Sequence, residues 1–465
     1  MDWLEKMKFV SKLIFIFPLF AFANTNLAEL NIDQGFKLIN IDQKNVEIKG
    51  NHIYLKMFQR NKPVVVEFTK DFNGVECTIN QTLKCSNGFK INLSTVNFEK
   101  PDYQISYKSK KSNKLYILHQ LPIDFPKIKI IGQSTRLEDF IFSWSPKKIN
   151  PSMQNEYSYL FVFSPSGDLK FFQRLPFTAV DFKSHFVNKK LYFSYLRSTA
   201  TYPLVTIEGK RAIFDSQMNF IREFPELLDF HDFQLIDTNW YLGITYDISQ
   251  NEFGKKYIQQ KILEIKNGRK VFEWSIDDFM KAKPFPNWKM KSQFRNQQVV
   301  HQYHLNHLQI IGDQIIVSLG FETIISLNKK TKKILWVFGG GSDQFGLTDE
   351  LSTSLHHTPI FNPQNSTLTL FDNGISKRSS RVLQYNLDIQ NKKIIKFKQL
   401  NMPASFSAMM GSVTEENQNY TVGFGTRDFG DYDILEIANN KINMSFRFDT
   451  QVSATYKIYR IKTNF

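Results

Sequence analysis

Three histidines of this 465-residue sequence occupy the same place in a recurring pattern. His231, His304 and His357 each open an apolar, strand-like segment and stand shortly before a turn. A neutral imidazole can attack as a nucleophile, and either form of the ring can carry a proton or donate to an anionic oxygen. One histidine in such a place is most often structural. Three of nine in one register indicate a shared chemical role.

Two further histidines, His307 and His356, are neighbours of these three. Successive side chains of a strand point to opposite faces, so we expect these two to point away or into packing. His356 remains the alternative to His357, because the pair is adjacent.

Each of the three histidines begins the first strand of a predicted inner hairpin. The hairpins are 231–236 with 240–246, 304–311 with 314–319, and 357–361 with 367–371. The innermost strands of a β-propeller line its central channel, so these side chains should converge on one axis. A pocket at such a point is the default expectation for a site.

A second hairpin follows each inner pair, and six copies of it occur along the chain. Each has an alternating apolar strand, a turn of Asp, Asn, Ser, Gly or Lys, and a second strand with an aromatic residue near its end. The copies begin at Leu160, Arg211, Ile262, Ile324, Val382 and Ile434, 51 to 62 residues apart. That spacing is typical of four-stranded blades. The sequence therefore predicts an all-β protein whose residues 121–465 form a six-bladed β-propeller.

The N-terminus is predicted to direct export. Lys6, Lys8 and Lys12 precede an apolar run at 13–20, which ends in the small-x-small pattern of residues 21–23. This is the pattern of a signal peptide over residues 1–23, and no later segment is long and apolar enough to cross a membrane. We therefore expect a periplasmic or secreted protein.

Residues 24–120 are predicted to form a small β-sandwich-like domain, with a linker at 122–126. The only two cysteines, Cys77 and Cys85, lie in this domain. In an exported chain they predict one disulfide, and without nearby histidines they do not form a metal site. Dimerisation and control of substrate access remain open as its roles.

The formal net charge of +15 does not predict a nucleic-acid-binding protein. The lysines are spread through turns, such as the one at 328–333, and we interpret them as solvated hairpin tips. A diffuse basic surface favours anionic small molecules or an anionic envelope surface.

An ordered set of segments resembles the arylsulfotransferase family, which includes the bacterial aryl-sulfate sulfotransferases and their fungal relatives. The resemblance runs from about residue 120 to the end, beginning with the linker-like LPIDFP at Leu121. The further segments are DFHDFQLID at Asp229, HLNHLQIIGDQIIVSL at His304, LWVFGGGSDQF at Leu335, LHHTPIF at Leu355, LFDNG at Leu370, SRVLQYNLD at Ser380, MMGSVTEENQNYTVGFG at Met409 and ATYKIYRI at Ala454.

The resemblance implies an exported propeller that moves a sulfuryl group from an aryl sulfate to a phenol. His357 matches the histidine that is transiently sulfurylated, and His231, His304 and Asn306 match residues that hold the sulfate oxygens. This division fits the chemistry, since sulfuryl transfer needs one neutral nucleophile and several donors for the oxygens. It also implies ping-pong kinetics without a metal, another cofactor or the nucleotide donor PAPS.

One position departs from the family pattern. Relatives carry an arginine shortly after the H-x-N motif, where it clamps the sulfate, whereas this chain has Gly320. Losing such a donor can cost on the order of a hundredfold in rate. Arg427 is a candidate substitute, although Asp428 beside it favours a structural role. Three functions thus stay open: a sulfotransferase acting on small phenols and aryl sulfates, a propeller that only binds its ligand, and an aryl sulfatase-like hydrolase.

Overall fold

The structure is a computed structural model that describes most of the chain from residue 28 onward. Up to residue 120 it describes the strands by their backbone, without the connections between them, and side chains are described from residue 121. Later gaps fall at 123, 147–156, 199–207, 252, 281–289, 296, 302–303, 321, 449–452 and 464–465. The predicted signal peptide and Cys85 lie outside the described residues. The chain divides into two compact units, residues 1–125 and 126–465.

The N-terminal unit consists of two sheets. One has the strand order Ala28–Asn31, Phe36–Ile41, Val64–Phe68 and Lys90–Leu93. The other has the order Val46–Lys49, His52–Met57, Ser112–Pro122, Asp102–Ser109, Glu76–Ile79 and Gln81–Lys84. Strands His52–Met57 and Ser112–Pro122 pair in parallel, and the other pairs are antiparallel.

The second unit is a six-bladed β-propeller, as predicted. From the innermost strand outward, blade 1 is Tyr459–Ile461, Asp139–Pro146, Ser158–Phe163 and Leu169–Leu175; blade 2 is Ala179–Val187, Lys190–Ser198, Glu208–Phe214 and Phe220–Glu223; blade 3 is Phe233–Asp237, Trp240–Gln250, Lys256–Lys266 and Arg269–Ser275. Blade 4 is His307–Ile311, Gln314–Ser318, Ile324–Asn328 and Ile334–Phe338; blade 5 is His356–Asn362, Thr367–Asp372, Arg381–Asp388 and Lys393–Gln399; blade 6 is Ser412–Glu416, Asn419–Gly423, Ile434–Ala438 and Lys441–Phe448.

All six predicted outer hairpins form the third and fourth strands of a blade, counted from the innermost strand. Their turns use residues that tolerate positive φ. In blade 3, Asn267 and Gly268 have φ values of 52° and 74°, which a two-residue turn matching the right-handed twist of the strands requires.

The ring is closed at both ends of the propeller segment. Strand Ile128–Gly132 adds a fifth, outermost strand to blade 6 by pairing with Lys441–Phe448. Strand Tyr459–Ile461 is the innermost strand of blade 1, where it pairs with Asp139–Pro146. The segment that leads into this last strand therefore runs along the central channel.

Apolar side chains fill the spaces between neighbouring blades. Trp336 of blade 4, for example, packs its ring 5.7 Å from that of Phe361 of blade 5, in a buried cluster that also contains Leu368. Burying such side chains stabilises each contact by about 1.5–3 kcal/mol per residue. Each blade packs in this way against the blade on either side of it, so the blades hold one another in place.

Short elements complete the architecture. Strands Met290–Phe294 and Gln297–His301 extend blade 3, Leu228–Asp229 pairs with blade 2, Ser453–Ala454 pairs with blade 1, and Phe406–Ser407 pairs with Arg427–Phe429. A helix spans Ile276–Met280 and a 3-10 turn spans Gly340–Ser342. Within the described part of the chain, no helix combines the length and apolar character that a bilayer crossing needs.

Candidate active site

The structure brings His231, His304 and His357 together from blades 3, 4 and 5. The ring centroids of His231 and His304 are 4.3 Å apart, and those of His304 and His357 are 6.4 Å apart. Tyr456, from the segment that closes the ring, lies with its ring 5.7 Å from His231 and 6.4 Å from His357. Four rings thus surround one point of the channel.

A bulge in the innermost strand of blade 5 sets the position of His357. The register with the next strand shifts between His357 and Ile360, and Thr358 adopts a φ of 46°. Positive φ is unusual for a β-branched residue, and bulges often redirect a side chain beside an active site. The Thr358 hydroxyl accepts a hydrogen bond from the Val413 amide at 2.9 Å, which ties the bulge to blade 6.

Asn373 fixes the tautomer of His357. The amide nitrogen of Asn373 donates to the carbonyl oxygens of Ser407 and Met410, at 2.7 and 2.8 Å, so its Oδ1 is the acceptor that faces His357 Nδ1 at 2.7 Å. Nδ1 therefore carries the proton, and Nε2 has the lone pair. Burial, followed by the proximity of His231, lowers the pKa of His357 well below 6.5. His357 is consequently a neutral imidazole at pH 7.

The segment LFDNG at Leu370 builds this arrangement. The Asp372 carboxylate accepts from the guanidinium of Arg381 and from the amides of Ser354 and Gly374. Gly374 has a φ of 64°, and a Cβ there would overlap the Ser379 carbonyl oxygen. Glycine and aspartate shape the turn, and the turn carries Asn373 to His357.

His231 is held by a carboxylate. Its Nδ1 lies 2.8 Å from Asp229 Oδ1, its backbone amide donates to the same oxygen, and the hydroxyl of Tyr246 also donates to Asp229. Asp229 is fully buried, so these donors replace the water that would otherwise solvate its charge. Nδ1 of His231 is therefore protonated, and Nε2 is the nitrogen free for exchange with a ligand.

His304 and Asn306 precede the innermost strand of blade 4. The Asn306 amide nitrogen donates one hydrogen to the His356 carbonyl at 2.7 Å, and its second hydrogen remains for another acceptor. Leu305 between them donates its amide hydrogen to Gln260 Oε1 at 2.7 Å. His304 is 9% exposed, the largest exposure among the four predicted site residues.

The two neighbouring histidines lie in other surroundings. His356 Nδ1 lies 3.1 Å from the Thr353 hydroxyl, and burial lowers its pKa to about 3. His307 Nδ1 lies 2.7 Å from Asp232 Oδ2. The four-ring group contains His357, and the choice of His357 over His356 as the nucleophile stays a prediction.

Gly320, the position at which the resemblance predicts an arginine in relatives, has a φ of 72°. A Cβ built there would lie 2.8 Å from the His304 carbonyl oxygen, so the site lacks room for a longer residue at this position without movement of its backbone. Arg427 donates to the Phe448 carbonyl at 3.0 Å and lies 3.5 Å from Asp433. These contacts engage its guanidinium in the packing of blade 6, and its role as a substitute clamp stays a prediction.

The sequence reasoning missed four residues that the structure places at the site: Asn373, Asp229, Tyr456 and Lys457. Two had a local signal. Asp229 stands two residues before His231, where strand alternation puts both on one face, and Asn373 is the fourth residue of the quoted LFDNG segment. Tyr456 and Lys457 lie in the quoted ATYKIYRI segment, but nothing in that segment indicates their contacts, because ring closure alone brings them to blades 3 and 4.

Comparison with known proteins identifies the family. A search of curated proteins gives no match. Solved structures that are similar include BamB from Moraxella catarrhalis, at 8% identity and a TM-score of 0.27 over 90% of this chain and 89% of that one. They also include a quinonprotein alcohol dehydrogenase-like protein from Bacteroides thetaiotaomicron, at 10% identity and a TM-score of 0.33 over 89% and 97%.

The sequence model of a family described as arylsulfotransferase (ASST) matches residues 206–440, which include all four predicted site residues from blades 3 to 5. This match spans just over half of the chain and supports an aryl sulfotransferase-like function. The chain belongs to the arylsulfotransferase family.

Proposed function

We propose that this protein transfers a sulfuryl group from an aryl sulfate to a phenolic acceptor through a covalent sulfohistidine at His357, without PAPS or a metal. The observation that carries the proposal is the hydrogen bond from His357 Nδ1 to Asn373 Oδ1. It leaves a lone pair on Nε2, and burial keeps the ring neutral and therefore nucleophilic.

In the first step, His357 Nε2 attacks the sulfur, and the bond from sulfur to the aryl oxygen breaks with its electron pair on the oxygen. The ring gains positive charge, which the Nδ1 hydrogen bond to Asn373 stabilises. A protonated His231 supplies the proton for the departing phenolate from Nε2, while Asp229 stabilises the imidazolium. His304 and the second hydrogen of Asn306 donate to the sulfuryl oxygens.

In the second step, the hydroxyl oxygen of the acceptor attacks the sulfur. Its proton passes to His231, the bond from nitrogen to sulfur breaks, and the electron pair returns to His357 Nε2. The enzyme is then in its starting state. One group alternates between two substrates, so ping-pong kinetics follow.

The test is release of 4-nitrophenol from 4-nitrophenyl sulfate, with and without phenol. Transfer predicts one equivalent of 4-nitrophenol per enzyme without phenol, with a mass increase of one sulfuryl group on His357, and sustained release only when phenol is present. Both should be lost in His357→Ala. His356→Gln is the matched control and should retain both release and labelling. Sustained release of 4-nitrophenol at the same rate with and without phenol would indicate a hydrolase. Binding of 4-nitrophenyl sulfate without release would indicate a ligand-binding propeller.

We further propose that the chain is exported to the periplasm or the exterior, with a disulfide between Cys77 and Cys85. The lysines before residue 13 and the small-x-small pattern at 21–23 support export. Mass measurement of the mature protein should place its first residue at Asn24, and thiol titration without reductant should find no free cysteine. Size measurement in solution would test a homodimer.

A further inference from the structure

Lys457 is a buried lysine in the segment that closes the propeller ring. Its side chain is 2% exposed, its Nζ lies 3.1 Å from Asp232 Oδ2, and it donates to the carbonyl oxygen of His231. Tyr456 beside it donates to the carbonyl oxygens of His231 and Asn306, both at 3.3 Å. The closing segment therefore contacts the backbone of two predicted site residues.

Asp232 already has another cation. Lys183 Nζ lies 2.8 Å from Asp232 Oδ1 and also donates to the Phe233 carbonyl at 2.9 Å. Although burial opposes ionisation, Lys183, Lys457 and His307 together hold the pKa of Asp232 well below 3.8. Burial also lowers the pKa of His307, so this histidine adds no charge at pH 7. Two lysines thus share one carboxylate.

The second lysine on Asp232 matters because of the other buried charges around it. Arg211 and Asp181 pair at 2.9 Å and cancel, while Asp229 leaves one negative charge beside His231. Lys183, Lys457 and Arg211 therefore balance Asp232, Asp181 and Asp229. With Lys457 in place the group is neutral and does not repel the single negative charge of a sulfate ester. Without Lys457 the same group would carry one net negative charge.

We propose that Lys457 is a positioning residue that gives this site its preference for a monoanionic sulfate ester, supplying from beneath His231 the positive charge that the missing arginine would supply from Gly320. The role rests on the proposed function for its substrate but concerns binding of the anion. Lys457 acts through Asp232 and through the His231 backbone. Its charge is also among those that lower the pKa of His357, after burial and His231.

The experiment measures the dissociation constant of 4-nitrophenyl sulfate by calorimetry in a His357→Ala background, in which no sulfohistidine forms. Adding Lys457→Met should weaken binding on the order of tenfold, the effect of one lost charge at intermediate distance in a partly screened interior. Lys457→Arg should bind within a few-fold of the parent. Affinity for phenol, which is neutral, should be unchanged in both variants. The matched control is Lys170→Met, which removes a lysine paired with Asp139 at 2.9 Å in blade 1.

A double variant separates the effect of the Lys457 charge from the effect of its contact with the His231 backbone. Lys457→Met with Asp232→Asn restores the balance of buried charges without restoring the contact to His231, and it should regain most of the affinity for the sulfate ester. It also keeps the test valid if the single variant folds poorly. Equal losses for phenol and sulfate ester, unchanged affinity in Lys457→Met, or no recovery in the double variant would each overturn the proposal. Because no turnover is measured, absence of sulfuryl transfer in the native protein would refute the proposed function alone.

Discussion

At the scale of single residues, an amide defines the state of His357, the nucleophile that we propose. A histidine offers two nitrogens, and the hydrogen bond of Nδ1 decides which one has the lone pair. Asn373 makes that choice for His357 because its own amide is held by two carbonyl groups. Asp229 acts on His231 in the same way, with a carboxylate in place of the amide. The reactivity of both imidazoles therefore depends on their partners.

Asn373→Ala should lower kcat on the order of a hundredfold or more, because the imidazole of His357 is then free to take the wrong tautomer. Stability should also fall, by about 1–3 kcal/mol, since two buried carbonyl groups lose their donor. Steady-state kinetics and urea unfolding measure the two effects. Asn386→Ala is the control, as Asn386 bonds to Thr367 in the same blade. Wild-type kcat in Asn373→Ala would contradict the role of the amide.

At the scale of elements, the site depends on departures from regular strands. The bulge at Thr358 redirects His357, and the turn at Gly374 delivers Asn373. Both use positive φ, which costs about 1–3 kcal/mol for most residues and persists only where the surroundings enforce it. The strands supply the scaffold, and these irregular positions supply the geometry.

Gly374→Ala should lower both stability and kcat, since its Cβ meets the Ser379 carbonyl and displaces Asn373. We expect the free energy of unfolding to fall by more than about 2 kcal/mol, because the overlap adds to the strain of an alanine in the left-handed region. Gly268→Ala is the matched control, with a φ of 74° and open space around its Cβ. Gly268→Ala should lower the free energy of unfolding by about 1–2 kcal/mol and leave kcat unchanged. Equal behaviour of the two variants in unfolding and kinetics would refute this account.

The sequence predicted the elements better than their irregularities. The six outer hairpins were found because alternation and turn chemistry are local properties. His231, His304 and His357 were found because a repeat places equivalent residues in equivalent positions. The Thr358 bulge was missed although Pro359 follows it in LHHTPIF, because a proline fits the edge of a sheet as well as a bulge. The contact of Lys457 with Asp232 joins residues that only the closure of the ring brings together.

At the scale of the whole molecule, the propeller buries ionisable groups along its channel. Burial is the largest cause that lowers the pKa of four histidines, His185, His307, His356 and His357. In an unfolded chain each would take up a proton near pH 6.5. The folded protein resists this protonation, so folding and pH are coupled.

Stability should therefore fall as the pH drops below about 6.5. The folded pKa values lie below the unfolded value, so between them the unfolded chain binds more protons and stability rises with pH. Each such histidine contributes up to about 1.4 kcal/mol per pH unit. Urea unfolding followed by the fluorescence of the buried Trp144, Trp274 and Trp336 should show this slope in the propeller.

His356→Gln should reduce the dependence of the free energy of unfolding on pH by the contribution of one histidine. The reduction should extend from pH 6.5 down to about 3, the folded pKa of His356. The control is the native protein above pH 7, where stability should vary little with pH. Constant stability from pH 7 to about 5 would contradict the coupling.

Closure of the ring by residues 453–461 also has a consequence for biosynthesis. Translation proceeds from the N-terminus, so blades 2 to 5, with all three imidazoles, leave the ribosome before this closing segment. A nascent chain at that stage holds the histidines but not Tyr456 and Lys457, and blade 1 lacks its innermost strand. The contacts of Tyr456 and Lys457 with the His231 carbonyl therefore become possible only after the rest of the propeller has been synthesised. A chain cut short before residue 456 would carry all three imidazoles and lack the contacts that the closing segment makes with the backbone of His231 and Asn306.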